Sequence, residues 1–333
     1  DMVSVLVAVY NATDYLDACL RSIQAQTMTD FEVLCVDDCS TDGSMDILRR
    51  YAASDPRIKV FKTEHNSGQA MARNIALEKA KGDIITFLDA DDWYDEHALE
   101  EIVKTFERDA EADVVLYDLK YATPQADGSY ALRDYDMPSF DHLDNIEAAR
   151  RSISWEGIHG WFAMRADLYK RFPYDTTCKA YSDDITSTLQ FLHAKKVVRS
   201  AARYYYRQNA ASVTHKATVR RFDILRAKER LAVLLREEDV PADFHERAAT
   251  QVWRWLIDCC MYEYMHGHEL SAADHAYGLS EMKRVWQTID LTLVEKPLLR
   301  KFGHRHLGHW WLFRLQNWIY FTLRQILGKN IEQ

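Results

Sequence analysis

Four short apolar runs, each closing on a polar turn, are spaced through the first ninety-two residues: Val3–Tyr10, Phe31–Val36, Ile58–Phe61 and Ile84–Leu88. They are rich in β-branched and aromatic residues and too short for helices, so they read as strands. They are also too apolar for strict alternation, which is the mark of parallel strands covered on both faces. Between them, Tyr15, Leu16, Cys19, Leu20 and Ile23 recur at helical spacing, as do residues through Leu48 to Ala52 and Ala70 to Ala80. A β-α-β-α-β-α-β order demands right-handed crossovers and a mostly parallel sheet flanked by helices, an α/β Rossmann-like class. A helix over Glu96–Asp109 and a strand over Val114–Tyr121 continue it. The pattern then loosens: a hairpin turn at Asp127–Gly128, a loop over Asp134–Asp144, short apolar runs in Gly157–Arg171, a helix over Ser182–His193 and a strand from Val197 to Tyr206. Beyond about Arg220 only helical spacing is found. The expected division is an α/β domain over 1–220 and a helical C-terminal region over 221–333.

Composition excludes several classes. A net charge of −9 argues against a general nucleic-acid role. Six cysteines without CxxC spacing suit reduced, packed thiols, and no secretory pattern opens the chain, so a cytoplasmic location is expected. No apolar run reaches the length of about twenty residues needed to span a bilayer. Neither GxGxxG nor GxxxxGK[ST] occurs, so phosphates would have to be held by a metal and helix N-termini instead.

Carboxylates gather where the runs end. Ile84–Leu88 empties into Asp89-Ala90-Asp91-Asp92, the second strand into Asp37-Asp38, and a helix starts at Ser182-Asp183-Asp184. Helix capping accounts for any one of these. Three on one edge of a parallel sheet point to ligand chemistry, because α/β sheets bind at the carboxyl ends of their strands. Clustered acids repel unless a cation neutralises them, and oxygen-only ligation favours Mg²⁺ or Mn²⁺. Tyr10, at the first strand end, is placed to stack on a base. Asp38 beside it would accept an imide N–H, which uracil has and cytosine lacks.

The stretches VLVAVYN (Val5–Asn11), VDDCSTDGS (Val36–Ser44), NSGQAMARN (Asn66–Asn74) and GDIITFLDADD (Gly82–Asp92) together resemble the family 2 inverting glycosyltransferases, which share the GT-A fold. The resemblance covers roughly Met2–Ser212. It implies that Ala8 and Tyr10 contact the nucleoside, that Asp38 binds uracil with Asp37 as its neighbour, and that Asn11, Gly68 and Ala90 belong to the nucleotide and donor surface. Asp89 and Asp91 match the metal-binding DxD motif, with Asp91 the direct ligand and Asp92 serving metal or sugar. Arg73 falls near the diphosphate or donor sugar, and Gly160-Trp161 matches the acceptor loop. Asp184 matches the catalytic base, with Asp183 the alternative because the commoner form has Glu before the Asp. His215 is a further candidate for the metal or diphosphate. The implied reaction moves a sugar from a UDP-sugar to a glycan or lipid-linked acceptor with Mn or Mg, in cell-surface polysaccharide synthesis. A sugar-1-phosphate nucleotidyltransferase and a catalytically silent nucleotide-sugar-binding scaffold are the competing readings.

The tail carries its own signal. From Lys296 to Ile331 there is no Asp or Glu but seven Lys or Arg. Within it Trp311, Leu315, Trp318, Ile319, Thr322, Leu323 and Ile326 recur at helical spacing, interrupted by Arg314 and Arg324. Peripheral contact of 296–327 with the anionic inner face of the plasma membrane is one expectation. Packing on the helical region, or on a second subunit in a homodimer, is the other.

Overall fold

The computed structural model describes residues 1–208 and 217–330, and the chain falls into two compact units, Asp1–Val213 and Thr214–Gln333. In the first unit, strands β1 (Val3–Val9), β2 (Phe31–Asp37), β3 (Ile58–Lys62) and β4 (Ile84–Phe87) alternate with helices α1 (Leu16–Gln24), α2 (Ser44–Ser54) and α3 (Gln69–Lys79). They form a wholly parallel half-sheet in the order β3-β2-β1-β4. β1 and β2 are buried almost without alternation, as strands covered on both faces must be. Gly82 lets β4 begin against β1: a Cβ there would sit 2.7 Å from the Ser4 nitrogen.

The other half of the sheet is mixed. After β5 (Trp93–Tyr94) and α4 (Ala98–Arg108) come β6 (Val114–Pro124), β7 (Tyr130–Asp134), β8 (His142–Asp144) and α5 (Asn145–Ser154). β9 (Phe162–Arg165), α6 (Ala166–Arg171), α7 (Ser182–His193) and β10 (Lys196–Arg207) complete the unit. β6 does not sit beside β4, as a simple continuation would have it. β9 lies between them, antiparallel to both, and the order runs on as β4-β9-β6-β10-β5. This inversion positions the site: because β9 runs backwards, the residues just before it, Gly160-Trp161, lie at the carboxyl end of β4. β10 runs parallel to β6 and delivers Tyr204 and Arg207 to the same edge.

The second unit is helical: α8 (Ile224–Arg236), α9 (Ala242–His266), α10 (Ala272–Thr288), the short α11 (Lys296–Arg300) and α12 (Trp310–Ile326). Its core centres on Trp253, with Phe313 at 5.7 Å between ring centres, and on Trp286, whose ring stacks on His306 at 4.3 Å.

Candidate active site

The carboxyl edge of the parallel half-sheet gathers the residues named above. Tyr10 follows β1 and is 49% exposed, and Ala8 is partly open at the end of the same strand. Asn11 adopts φ 48° and accepts the Thr41 N–H at 2.9 Å, while its own N–H donates to Ser40 Oγ at 3.0 Å. It thereby clamps the turn after β2 against β1. Asp37 and Asp38 are both buried. Asp38 accepts from Thr63 Oγ1 (2.9 Å), Ser67 N (2.9 Å) and Gly68 N (2.8 Å), which fixes its carboxylate beside the start of α3. Gly68 has φ 91°, a conformation that side chains rarely adopt, and it presents that N–H. Asp37 accepts from Ser40 N through Oδ2, and its Oδ1 is buried without a donor.

Arg73 organises the centre. It is 1% exposed, with its guanidinium over the Phe87 ring (4.4 Å) and near the Tyr174 ring (5.1 Å). One NH₂ donates to Asp89 Oδ1 (2.5 Å) and the other to Asp183 Oδ1 (2.8 Å). A single buried cation therefore joins the strand-end acid to the acid pair at the N-terminus of α7. Asn74 adds a double tie to the backbone of Tyr174, donating to its carbonyl and accepting its N–H, each at 2.9 Å. Burial pushes the Asp89 carboxyl up, with Arg73 opposing that shift. Gln69 donates to the same Oδ1 (3.1 Å), so both of its side-chain donors fall on one oxygen.

The three acids of the β4 turn have separate surroundings. Asp92 is wholly buried: Tyr204 Oη donates to its Oδ2 (2.8 Å) and Arg207 N to its Oδ1 (2.9 Å). Burial, then the charges of Asp89 and Asp91, push its carboxyl well up. The geometry turns Asp92 inward to hold the turn on β10, away from the cleft where a metal or sugar role would need it. The turn itself accounts for this, since the Asp92 N–H closes it on the Asp89 carbonyl (3.0 Å). Asp91 is partly exposed, with its backbone carbonyl held by Arg207 Nε (2.6 Å), and Ala90 is buried beneath the turn.

Asp89, Asp183, Asp184, Gly160 and Trp161 line one cleft of about 350 Å³, together with Phe87, Tyr121, Tyr135, Trp155, Ile158, His159 and Ser187. The aromatic wall went unseen in the sequence because its members come from β6, the loop after β7, and the α5–β9 connection. Trp155 adopts φ 55° and lies against Gly160, where a Cβ would meet its ring at 3.3 Å. The indole N–H groups of both Trp155 and Trp161 are buried with no acceptor. His159 accepts the Trp161 N–H (3.2 Å) on Nδ1, leaving Nε2 to donate to the Tyr117 carbonyl (2.9 Å). Burial lowers its pKa to about 4, so the ring is neutral. Four of the five non-glycine residues with positive φ among those described, Asn11, Cys39, Trp155 and Tyr181, flank this edge. Strained backbone of that kind concentrates at ligand sites. His215 lies outside the described residues.

Residues 4–172 match the Glycosyl transferase family 2, half of the chain. The chain belongs to that family. Among its relatives, EpsH of Bacillus subtilis (strain 168), named as a glycosyltransferase, is 28% identical over 268 residues, which is 79% of this chain and 77% of EpsH. TuaG of the same organism, named for teichuronic acid biosynthesis, is 48% identical over 99 residues, 30% of this chain and 39% of TuaG. In fold, S. aureus TarS 1-349 in complex with UDP-GlcNAc superposes with a TM-score of 0.66 at 18% identity, covering 99% of this chain and 93% of that one. This family 2 chain is thus a glycosyltransferase of GT-A architecture, and the nucleotidyltransferase and silent-scaffold readings fall away.

Proposed function

We propose that this glycosyltransferase moves a sugar from a UDP-sugar to a hydroxyl of a glycan or lipid-linked acceptor, with inversion, in the synthesis of a cell-surface polysaccharide. The observation that carries the reading is the shared cleft, in which Asp89, the acid pair at α7 and the Trp155–Trp161 loop face one another. EpsH, TuaG and TarS lend support through their names alone.

Asp38 and Tyr10 hold the nucleoside. A carboxylate offers about four acceptor positions, and three on Asp38 are taken by Thr63, Ser67 and Gly68. The remaining one receives the uracil N–H while the exposed Tyr10 ring stacks on the base. Ala8, Asn11, Asp37, Gly68 and Ala90 shape that surface from beneath. Asp91 and the Oδ2 of Asp89 would hold the ion, and oxygen donors of this kind suit Mn²⁺ or Mg²⁺. Among the described residues no group of three or more His, Cys, Asp or Glu surrounds a common point, consistent with an ion shared with its substrate. When bound, the ion stabilises negative charge on the departing diphosphate.

Arg73 divides the acid pair. Asp183 accepts from it through Oδ1, and Asp184, beside it in the cleft, takes the proton of the attacking hydroxyl. Gly160 and Trp161 border the acceptor side, with the Trp155 and Trp161 rings lining the cleft. The protein is placed in the cytoplasm, where UDP-sugars are made.

Asp184→Asn is expected to lower transfer by about 10²–10⁴-fold, with UDP affinity by calorimetry changed less than about twofold. Turnover close to wild type in that variant would remove Asp184 as the base. Metal-dependent hydrolysis across a panel of nucleotide sugars identifies the donor, and activity only with a non-uridine nucleotide would overturn the role given to Asp38.

A further inference from the structure

α12 has two apolar faces and only one is covered. Phe313, Gln316, Asn317 and Phe321 are buried. On the opposite side Trp311 (64% exposed), Leu315, Trp318 (58%), Ile319, Leu323 and Ile326 (77%) face solvent. Of the thirteen exposed large hydrophobic residues described in the whole chain, nine fall within residues 302–327. Scattered exposed leucines need no explanation, but a concentrated stripe marks an interaction surface.

Arg314 and Arg324, which interrupt the pattern in sequence, do not interrupt it in space. Arg314 pairs with Glu263, and Arg324 turns to the Lys329 carbonyl and to Asn330 Oδ1. The preceding basic segment lies against the helix. Gly303 N–H donates to Gln316 Oε1 (3.1 Å), Asn317 Nδ2 to the Gly303 carbonyl (2.7 Å) and Gln316 Nε2 to the Arg305 carbonyl (2.9 Å). Lys296, Arg300, Lys301, Arg305 and Lys329 are exposed, in a stretch from 296 to 331 that contains no acid. The chain as a whole carries −9, so this cationic stretch is a local reversal of sign.

We propose that α12 and the 296–309 segment dock the protein peripherally on an anionic phospholipid surface. The stripe enters the headgroup–acyl boundary, Trp311 and Trp318 sit at headgroup level, and the exposed basic residues of 296–329 supply attraction to the lipid phosphates. No described helix is long and apolar enough to cross a membrane, so the contact is in-plane. Charge complementarity favours lipid over a second copy of this chain. Pairing two stripes face to face would bring together two copies of the net cationic 296–331 stretch, which holds no carboxylate of its own. The inference stands independently of the transferase reading, since its test reads lipid partition.

The full chain is co-sedimented with phosphatidylcholine vesicles and with vesicles containing about one-third phosphatidylglycerol. Wild type is expected to partition onto the anionic vesicles with a blue shift in tryptophan emission, and far less onto the neutral ones. A Trp311→Ser, Trp318→Ser, Leu323→Ser variant leaves Phe313 and Phe321 in place and is expected to lose binding more than tenfold while keeping UDP affinity. Lys296→Gln, Lys301→Gln and Arg305→Gln together are expected to weaken anionic binding on the order of a hundredfold. Equal vesicle binding by wild type and the stripe variant would overturn the proposal. So would a wild-type dimer that the stripe variant dissociates, with no vesicle binding by either.

Discussion

Arg73 is the residue on which the site turns, and its identity as arginine is a geometric requirement. Its two NH₂ groups reach acids that are 16 and 110 positions away in sequence, while the plane between them lies on Phe87. A lysine is a point charge that cannot bridge both and stacks poorly. Arg73→Lys is therefore expected to cost about 1.5–3 kcal/mol of stability, because one of two charge-assisted hydrogen bonds from the buried cation is lost. Turnover should fall as well, since Asp183 is freed to compete with Asp184. Urea unfolding alongside donor hydrolysis checks this, and a stability change under about 0.5 kcal/mol would refute the bridging role. Sequence similarity put Arg73 near the diphosphate, yet nothing in a linear motif reveals that its carboxylate partners include Asp183. Asp92 teaches the same lesson in reverse. Adjacency in sequence grouped it with Asp89 and Asp91, but its N–H closes the turn on the Asp89 carbonyl, and Tyr204 and Arg207 each hold one of its carboxylate oxygens.

At the scale of elements, the parallel half-sheet was legible because each strand is a self-contained apolar run and each crossover a helix with clear spacing. The mixed half was not. β9 is four residues long, β5 two and β8 three, too short to carry a period, and the pairing of β9 between β4 and β6 is a long-range event. α5 also went unseen, since Asn145–Ser154 carries two arginines and no aromatic residue to mark its buried side. The connection between α5 and β9 supplies Trp155, Ile158, Gly160 and Trp161 to the aromatic cleft, and His159 within it is the cleft's proton-linked support. A histidine held at about 4 when folded, against about 6.5 when unfolded, is neutral in the native state while the unfolded chain takes up the proton. Its contribution is present in full above about pH 6.5 and lost as pH falls toward 4, about 3 kcal/mol in all. His304, lowered to about 4 by burial in the helical unit, adds a second loss of the same sign. His159→Gln is expected to flatten, without abolishing, the fall in urea-unfolding stability between pH 7 and 4.5. An unchanged slope would dissociate His159 from the acid sensitivity.

Each unit buries apolar side chains of its own among the described residues, the first around the sheet and the second around Trp253, Trp286 and Phe313. Every described residue assigned above to nucleotide, ion and base lies in the first unit, whereas the stripe proposed to face lipid lies in the second. Ligand linkage and core mutation should therefore act on different unfolding events. UDP with Mn²⁺ at about a hundred times its Kd is expected to add about 2.7 kcal/mol to the unfolding of the first unit. Phe313 is fully buried against Trp253, so Phe313→Ala should remove about 3–5 kcal/mol from the second. Scanning calorimetry of the full chain, with and without ligand, for both wild type and Phe313→Ala resolves the two. If the ligand raised the same transition that Phe313→Ala lowers, the two units would not unfold separately. If it raised neither, the nucleotide site at Asp38 and Asp91 would have to be abandoned. The expected pattern, one transition moved by ligand and the other by the core substitution, separates the chemistry of the sheet edge from the anchoring of the helices.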